Sequence, residues 1–270
     1  MWLWHLLFNM SEVKIASWNV NSVRARIDLL LSWISDRDPD VLLLQEIKAR
    51  EEDFPYEAFD KFKYNIRIKG QKSYNGVAIL SKYPLSDVET NIPFLNDTQS
   101  RYIEAWVNYR NSGFRVASVY APNGNPINSE KFDYKLKWLN YFYKHVKILL
   151  ENEEKIILAG DYNICPTKKD VANEELILND AVYQKESKNI FRKICNTGYF
   201  DGFRELNKSL SGYTYWDYGQ AYQNNLGFRI DHFLLSSYSL DHLKKVFVDE
   251  EPRQQKKTSD HAPIIANFVF

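Results

Sequence analysis

Short apolar runs alternate along the chain with longer stretches in which apolar side chains recur at three- and four-residue spacing. The short runs, rich in branched and aromatic residues, predict strands over residues 13–18, 41–45, 76–80, 102–108, 114–120, 155–159, 228–235 and 264–270. Helical spacing predicts helices over 24–37, 129–150 and 186–197, the second with Phe132, Leu136, Leu139, Tyr143, Val146 and Leu150 on one face. No Pro/Ser-rich linker, charge block or internal repeat interrupts this alternation, so one domain over residues 13–270 is expected. Strands outnumber helices, and several neighbours are joined by short turns. That favours an α/β fold of two mixed sheets packed face to face with helices outside over a doubly wound parallel sheet.

Composition narrows the function. An apolar content of 44% over 270 residues supports a sizeable core. The 35 basic residues balance the 35 acidic ones, so no whole-chain field attracts a polyanion, and a nucleic-acid partner has to be held by a local patch. Cys165 and Cys195 form no CxxC and no zinc spacing, which sets aside structural zinc and a disulfide framework and points to a cytoplasmic protein. The opening MWLWHLLFN is too short to span a bilayer and lacks a basic flank and a cleavage site, so no membrane association is expected. Residues 1–12 are read as an N-terminal extension, disordered or arising from a misassigned start, since Met10 is followed at once by a strand start. No GxGxxG or GxxxxGK[ST] loop occurs, which removes the usual cradle for dinucleotides and nucleoside triphosphates.

The chemistry is concentrated at strand ends. Five times an apolar run stops abruptly in a carboxylate, amide or histidine: Asn19 and Asn21 in SWNVN, Glu46 in LLLQE, Asp161 and Asn163 in LAGDYN, Asp231 in RIDH, and Asp260 and His261 in SDHAP. Taken singly, each is more often a solvated strand end or a turn residue bonded to its own backbone. Together they are oxygen and imidazole groups of the kind a hard Mg²⁺ ion accepts, and adjacent strand ends can converge on one cleft. Carboxylates gathered without a cation would repel one another.

The strings SWNVN, LLQE, YAPNG, LAGDYNICPT, GFRIDHFLLS and SDHAPI, in this order, resemble the six motifs of the exonuclease III and AP endonuclease family. Further similarity lies in KSYNGVAILS, SEKFDYKLKW and QKESKNIFRKICNTGYFDGFR, so that the match spans about residues 13–270. The resemblance implies the four-layered α/β-sandwich of the DNase I-like fold. It also implies a DNA-repair phosphodiesterase that cuts 5′ to abasic sites in double-stranded DNA and shortens or cleans 3′ ends, working as a monomer with Mg²⁺ or with Mn²⁺ as a substitute. By the same resemblance Glu46 is the principal metal ligand, with Asn19 and Asp260, and a second ion near Asp161, Asn163 and His261 stays open. Asp161 would orient and deprotonate the attacking water, and Asn163 would bond that water or a phosphate oxygen. His261, its other ring nitrogen held by Asp231, would stabilise the pentacovalent phosphorus. Tyr120 and Asn123 would contact the scissile phosphate. Asn21 stands where some relatives carry aspartate, which puts a metal role for it in doubt.

In the aromatic segment YTYWDYGQAYQNNLGF, the resemblance implies a pocket for the abasic sugar, with Trp216 and Phe228 as its walls and Arg229 near the phosphate. A basic rim is expected from Arg24, Arg26, Lys69, Lys72, Lys168, Lys169, Arg253, Lys256 and Lys257, although most exposed basic residues are merely solvated. Two other functions remain in view. One is hydrolysis of a phosphoinositide, sphingomyelin or RNA on the same fold. The other is a catalytically silent nucleic-acid-binding module, against which stands a competent residue at every aligned catalytic position.

Overall fold

The near-continuous apolar character of the central strands follows from their being covered on both faces. The computed structural model describes residues 12–110 and 112–270. Among these, twelve strands form: β1 (Glu12–Asn19), β2 (Val41–Gln45), β3 (Asn65–Lys69), β4 (Val77–Ser81), β5 (Leu85–Glu89), β6 (Tyr102–Val107), β7 (Phe114–Tyr120), β8 (Ile156–Asp161), β9 (Phe200–Asp201), β10 (Asp231–Leu235), β11 (Leu243–Val248) and β12 (Ile264–Val269). Five α-helices accompany them: α1 (Ile27–Arg37), α2 (Glu130–Asn152), α3 (Lys185–Asn196), α4 (Gly202–Leu206) and α5 (Ser237–His242).

The strands build two six-stranded sheets, in the orders β11-β12-β1-β2-β4-β3 and β5-β6-β7-β8-β10-β9. Each sheet has one parallel pair, β1 with β2 and β7 with β8, among antiparallel neighbours. Side chains alternate as a strand requires. Val13 and Ile15 of β1, with Ile157 and Ala159 of β8, fill the core between the sheets. Ala16 and Trp18 turn outward beneath Leu30, Trp33 and Ile34 of α1. Ile156 and Leu158 turn outward beneath Trp138, Phe142 and Ile194 of α2 and α3. Burying each such large side chain contributes about 1.5–3 kcal/mol. The resulting order, helix, sheet, sheet, helix, is the four-layered α/β-sandwich expected. Among the described residues no helix is long and apolar enough to cross a membrane.

Several expectations shift. The edge strands β3, β5, β9 and β11 were not foreseen, because an edge strand with one covered face mixes polar and apolar residues, as NIRIK and LSDVE do. Sheet pairing begins at Asp231 rather than at residue 228, and Phe228 instead bridges Val171 and Tyr215 in the loop layer. The buried stripe of α2 is rotated from the predicted face: it runs through Phe132, Lys135, Trp138, Leu139, Phe142, His145, Val146 and Leu149. An apolar pattern cannot count Lys135 and His145, so it centres the stripe wrongly. Glu12 belongs to β1, paired with Val269, and the remainder of the expected N-terminal extension lies outside the described residues.

Candidate active site

Topology places the polar strand ends together. β1, β2, β7 and β8 end at one rim of the sandwich, at Asn19, Gln45, Tyr120 and Asp161, while the antiparallel β10 and β12 start there, at Asp231 and just after His261. Left-handed backbone then turns side chains out of the strand direction at Asn21, Glu46, Lys48 and Asn163, with φ of 45°, 50°, 50° and 50°. For Glu46 and Lys48 that conformation is uncommon, and such strain gathers where the surrounding structure enforces it. Gly160 allows β8 to close against β7: a Cβ there would stand 1.9 Å from the carbonyl oxygen of Val119. The close approach sets Tyr120 directly beside Asp161.

The result is a cleft of about 450 Å³ lined by Glu46, Tyr120, Asn123, Asp161, Asn163, Phe228, Asp260 and His261, among others. Asn19, fully buried, donates from Nδ2 to Glu46 Oε1 at 3.0 Å and to Asp161 Oδ2 at 3.0 Å. Tyr120 donates its hydroxyl to Glu46 Oε1 at 2.8 Å. The backbone N–H of Asn163 donates to Asp161 Oδ1 at 2.9 Å. His261 donates from Nδ1 to Asp231 Oδ2 at 2.8 Å and points Nε2 toward Asp161 Oδ2, 3.8 Å away. The second Asp231 oxygen is buried with no partner among the described residues.

These contacts set the charges. Burial pushes the Glu46 carboxyl up, but hydrogen bonds from Asn19 and Lys48 outweigh it and leave Glu46 below its ordinary value. Burial, reinforced by Asp231 and Glu46, pushes Asp161 up to about 7 against the pull of His261. Burial pulls His261 down, yet Asp231 and Asp161 prevail and hold it at about 10, as an imidazolium at neutral pH. Burial and Glu46 keep the Tyr120 phenol far above its ordinary range.

Lys48 is among the members of this site that sequence reasoning missed. Lys48 bridges Glu46 Oε2 at 2.8 Å and Asn21 Oδ1 at 2.6 Å. Asn21 in turn donates to Asp260 Oδ1 at 3.1 Å and to the Tyr218 hydroxyl at 2.8 Å, joining three loops at the rim. The only sequence signal was a lysine two positions beyond the strand-end glutamate. The donor set also suits a hard cation. Glu46, Asp161, Asp231 and Asp260 outnumber Lys48 and His261, and the Lys48 ammonium already occupies a Glu46 oxygen as a cation would. Among the described residues no three such groups converge on one point, so an ion here would complete its shell with water, as Mg²⁺ does readily.

Two of the three residues expected at the sugar pocket and phosphate stand elsewhere. Arg229 does not reach the cleft: its guanidinium, 1% exposed, is held by Asp170 at 2.7 Å and Asp201 at 2.8 Å. Trp216 is buried under the aromatic loop, and its backbone N–H supports the Asp260 carbonyl. Phe228 does line the cleft, and its neighbour there is Tyr215, stacked at 5.8 Å and edge-on to His261 at 5.0 Å. Of the expected basic rim, Arg24, Lys72, Lys168, Lys169, Lys256 and Lys257 are exposed, whereas Arg253 is buried and donates to the Ser259 and Trp216 carbonyls.

Comparison with known proteins agrees with this geometry. The family model of the Endonuclease/Exonuclease/phosphatase family matches residues 16–261. Exodeoxyribonuclease III of Haemophilus influenzae is 33% identical over 270 residues, covering 95% of this chain and all of that protein. A solved structure of the 3′ phosphatase NExo from Neisseria bound to product DNA hairpin superposes with a TM-score of 0.92 at 36% identity, covering 96% of this chain and 100% of that one. An AP endonuclease from Archaeoglobus fulgidus superposes at 0.90 with 30% identity, over 96% of this chain and 100% of that one.

Proposed function

The chain belongs to the endonuclease/exonuclease/phosphatase family, in its exonuclease III and AP endonuclease branch, and from that premise we propose that it is a Mg²⁺-dependent DNA-repair nuclease. It cuts 5′ to abasic sites and shortens or cleans 3′ ends of duplex DNA, acting as a monomer, since one chain supplies every group the reaction needs. The observation that carries the reading is the placement of Asp161, whose Oδ2 accepts from Asn19 Nδ2 at 3.0 Å and lies 3.8 Å from His261 Nε2 within the same cleft as Glu46, Tyr120 and Asp260. A buried carboxylate so placed, its proton affinity raised by that burial, can take a proton from water.

Glu46, Asp260 and Asn19 would hold the ion, which supplies charge neutralisation on the phosphate and on the departing oxygen. Asp161 receives the proton as water attacks phosphorus in line and the phosphorus–oxygen bond opposite breaks. His261, kept cationic and oriented by Asp231, faces the charge that develops on the phosphoryl oxygens. Tyr120 and the amides of Asn123 and Asn163 donate to the same group. Phe228 and Tyr215 form an apolar wall against which a base-free sugar or a terminal nucleotide can rest.

The NExo structure, described as a 3′ phosphatase, gives 3′-end processing weight beside incision. The test uses a labelled duplex with one tetrahydrofuran abasic analogue, a second with a 3′-terminal phosphate, and an undamaged control, each with Mg²⁺ and with EDTA. Metal-dependent incision 5′ to the lesion is expected, with phosphate release from the second duplex. Cleavage of neither duplex under Mg²⁺ or Mn²⁺ would overturn the proposal and return phosphoinositide, sphingomyelin and RNA as substrates to consider.

A further inference from the structure

A lysine buried in a helix stripe with no carboxylate partner is rare, because an ammonium taken out of water loses its hydration. Lys135 of α2 is such a residue. It is 0% exposed, and its Nζ donates to the Asn163 carbonyl at 2.6 Å and the Asn123 carbonyl at 3.0 Å. Burial pulls its pKa down to about 7 against Asp161 and Asp180, the mark of an amine withdrawn from water whose polar partners are the two loop carbonyls. Its stem fills the space under the PNG turn: a Cβ on Gly124, whose φ is +89°, would meet Lys135 Cδ at 2.6 Å.

The two carbonyls belong to the loops that leave the parallel pair β7 and β8, and both Asn123 and Asn163 face the cleft. Asn123 Nδ2 donates to Asn163 Oδ1 at 3.3 Å, and Asn163 Nδ2 donates to the Ala121 carbonyl at 3.0 Å, so the loops are also tied side chain to side chain. Asn163 holds a left-handed φ of 50°, and its N–H bonds Asp161 Oδ1. Any rotation of the Asn163 peptide would release that carboxylate oxygen.

We propose that Lys135 is a positioning residue, whose buried ammonium clamps the loops after β7 and β8 by their Asn123 and Asn163 carbonyls and so fixes the amides and the Asp161 carboxylate toward the substrate. Its consequence for catalysis rests on the nuclease reading, while the clamp itself does not. A neutral side chain of the same length leaves the buried Asn163 carbonyl and the part-buried Asn123 carbonyl without their donor and frees the loops, although it touches neither substrate nor reacting atoms.

The test compares wild type with K135M and K135R. In K135M, amide hydrogen exchange should accelerate about tenfold or more in residues 121–125 and 161–165, with α2 and the sheets unchanged. On the abasic duplex kcat should fall on the order of 100-fold with KM within about threefold, the scale expected when reacting groups are displaced by about 1 Å. K135R, which keeps the charge and the donors, should regain at least about tenfold of that loss. Should K135M fail to fold, K135Q replaces it, keeping one donor group and giving a smaller change in the same direction. Wild-type exchange in these loops would overturn the clamp, and wild-type kcat or a rise in KM alone would overturn its positioning role in catalysis. If the wild type cuts no DNA, the nuclease reading falls and the exchange comparison still decides the clamp.

Discussion

Asp161 and His261 lie 3.8 Å apart, and both are held above their ordinary proton affinities. The carboxylate is raised chiefly by burial, the imidazole by Asp231 and Asp161, and the pair therefore offers a base and a cation at the same pH. The proposed roles make the single variants informative. D161N and H261A should each lower kcat by about 10²–10⁴-fold, the range for loss of a positioned acid–base group. D231N should lower it by a smaller factor, because His261 keeps its place but loses the carboxylate that sustains its charge. Steady-state kinetics on the abasic duplex, with circular dichroism to verify the fold, checks each; full turnover in any variant removes that residue from the mechanism. Glu46 and Asp161 could be singled out in the sequence because each terminates an apolar run, and His261 because it stands beside Asp260 just ahead of one. Lys48 and Lys135 could not, since a lysine in a polar stretch or on a helix reads as solvated until its surroundings are known.

At the scale of elements, an ionic cluster ties the far edge of the second sheet to the loop layer. Arg229, ahead of β10, joins Asp170 to Asp201 at the end of β9, and Arg204 of α4 adds a second bond to Asp170 at 2.7 Å. His232, fully buried beside this cluster, accepts from Arg229 Nη1 at 3.0 Å and donates from Nε2 to the Ile164 carbonyl at 2.8 Å, an arrangement for the neutral ring. Burial and Arg229 together pull its pKa from 6.5 to about 4. The sign follows from proton counting. Below pH 6.5 the unfolded chain binds a proton that folded His232 refuses, so stability declines as pH falls from 6.5 toward 4. Asp170 and Asp201, raised by burial but lowered further by Arg229, add to the loss once they protonate at still lower pH. The His232 share is on the order of 3 kcal/mol. Thermal melts between pH 7 and 4 should show a shallower decline in H232Q than in wild type, and parallel declines would refute this account. The family resemblance implies a phosphate contact for Arg229. Two buried carboxylates from distant segments claim it instead, and no local pattern records their approach.

For the whole molecule, two sheets of like topology bring six strand termini to one rim, and the carboxylates there exceed the cations. A divalent ion bound only by the folded protein should stabilise it by about 2.7 kcal/mol at a hundredfold excess over its Kd, a rise in Tm of roughly 5 °C or more for a chain of this size. Scanning fluorimetry with Mg²⁺ against K⁺ at matched ionic strength checks this, and E46Q should lose most of the rise. An equal rise in E46Q would move the ion away from Glu46. The sequence by itself determined the class of fold, the strands of the two sheet interiors and the residues that end them, because a strand covered on both faces must be apolar throughout and a polar residue at its end stands out. It also carried the family motifs in order. Only the tertiary structure decided which polar groups meet: Tyr215 rather than Trp216 beside Phe228, Arg229 in an ion cluster rather than at the phosphate, and Lys135 beneath the cleft rather than in solvent. The apolar pattern reports which face of an element is covered, whereas the placement of a buried charge depends on partners drawn from remote parts of the chain, and those partners exist only once the layers have closed.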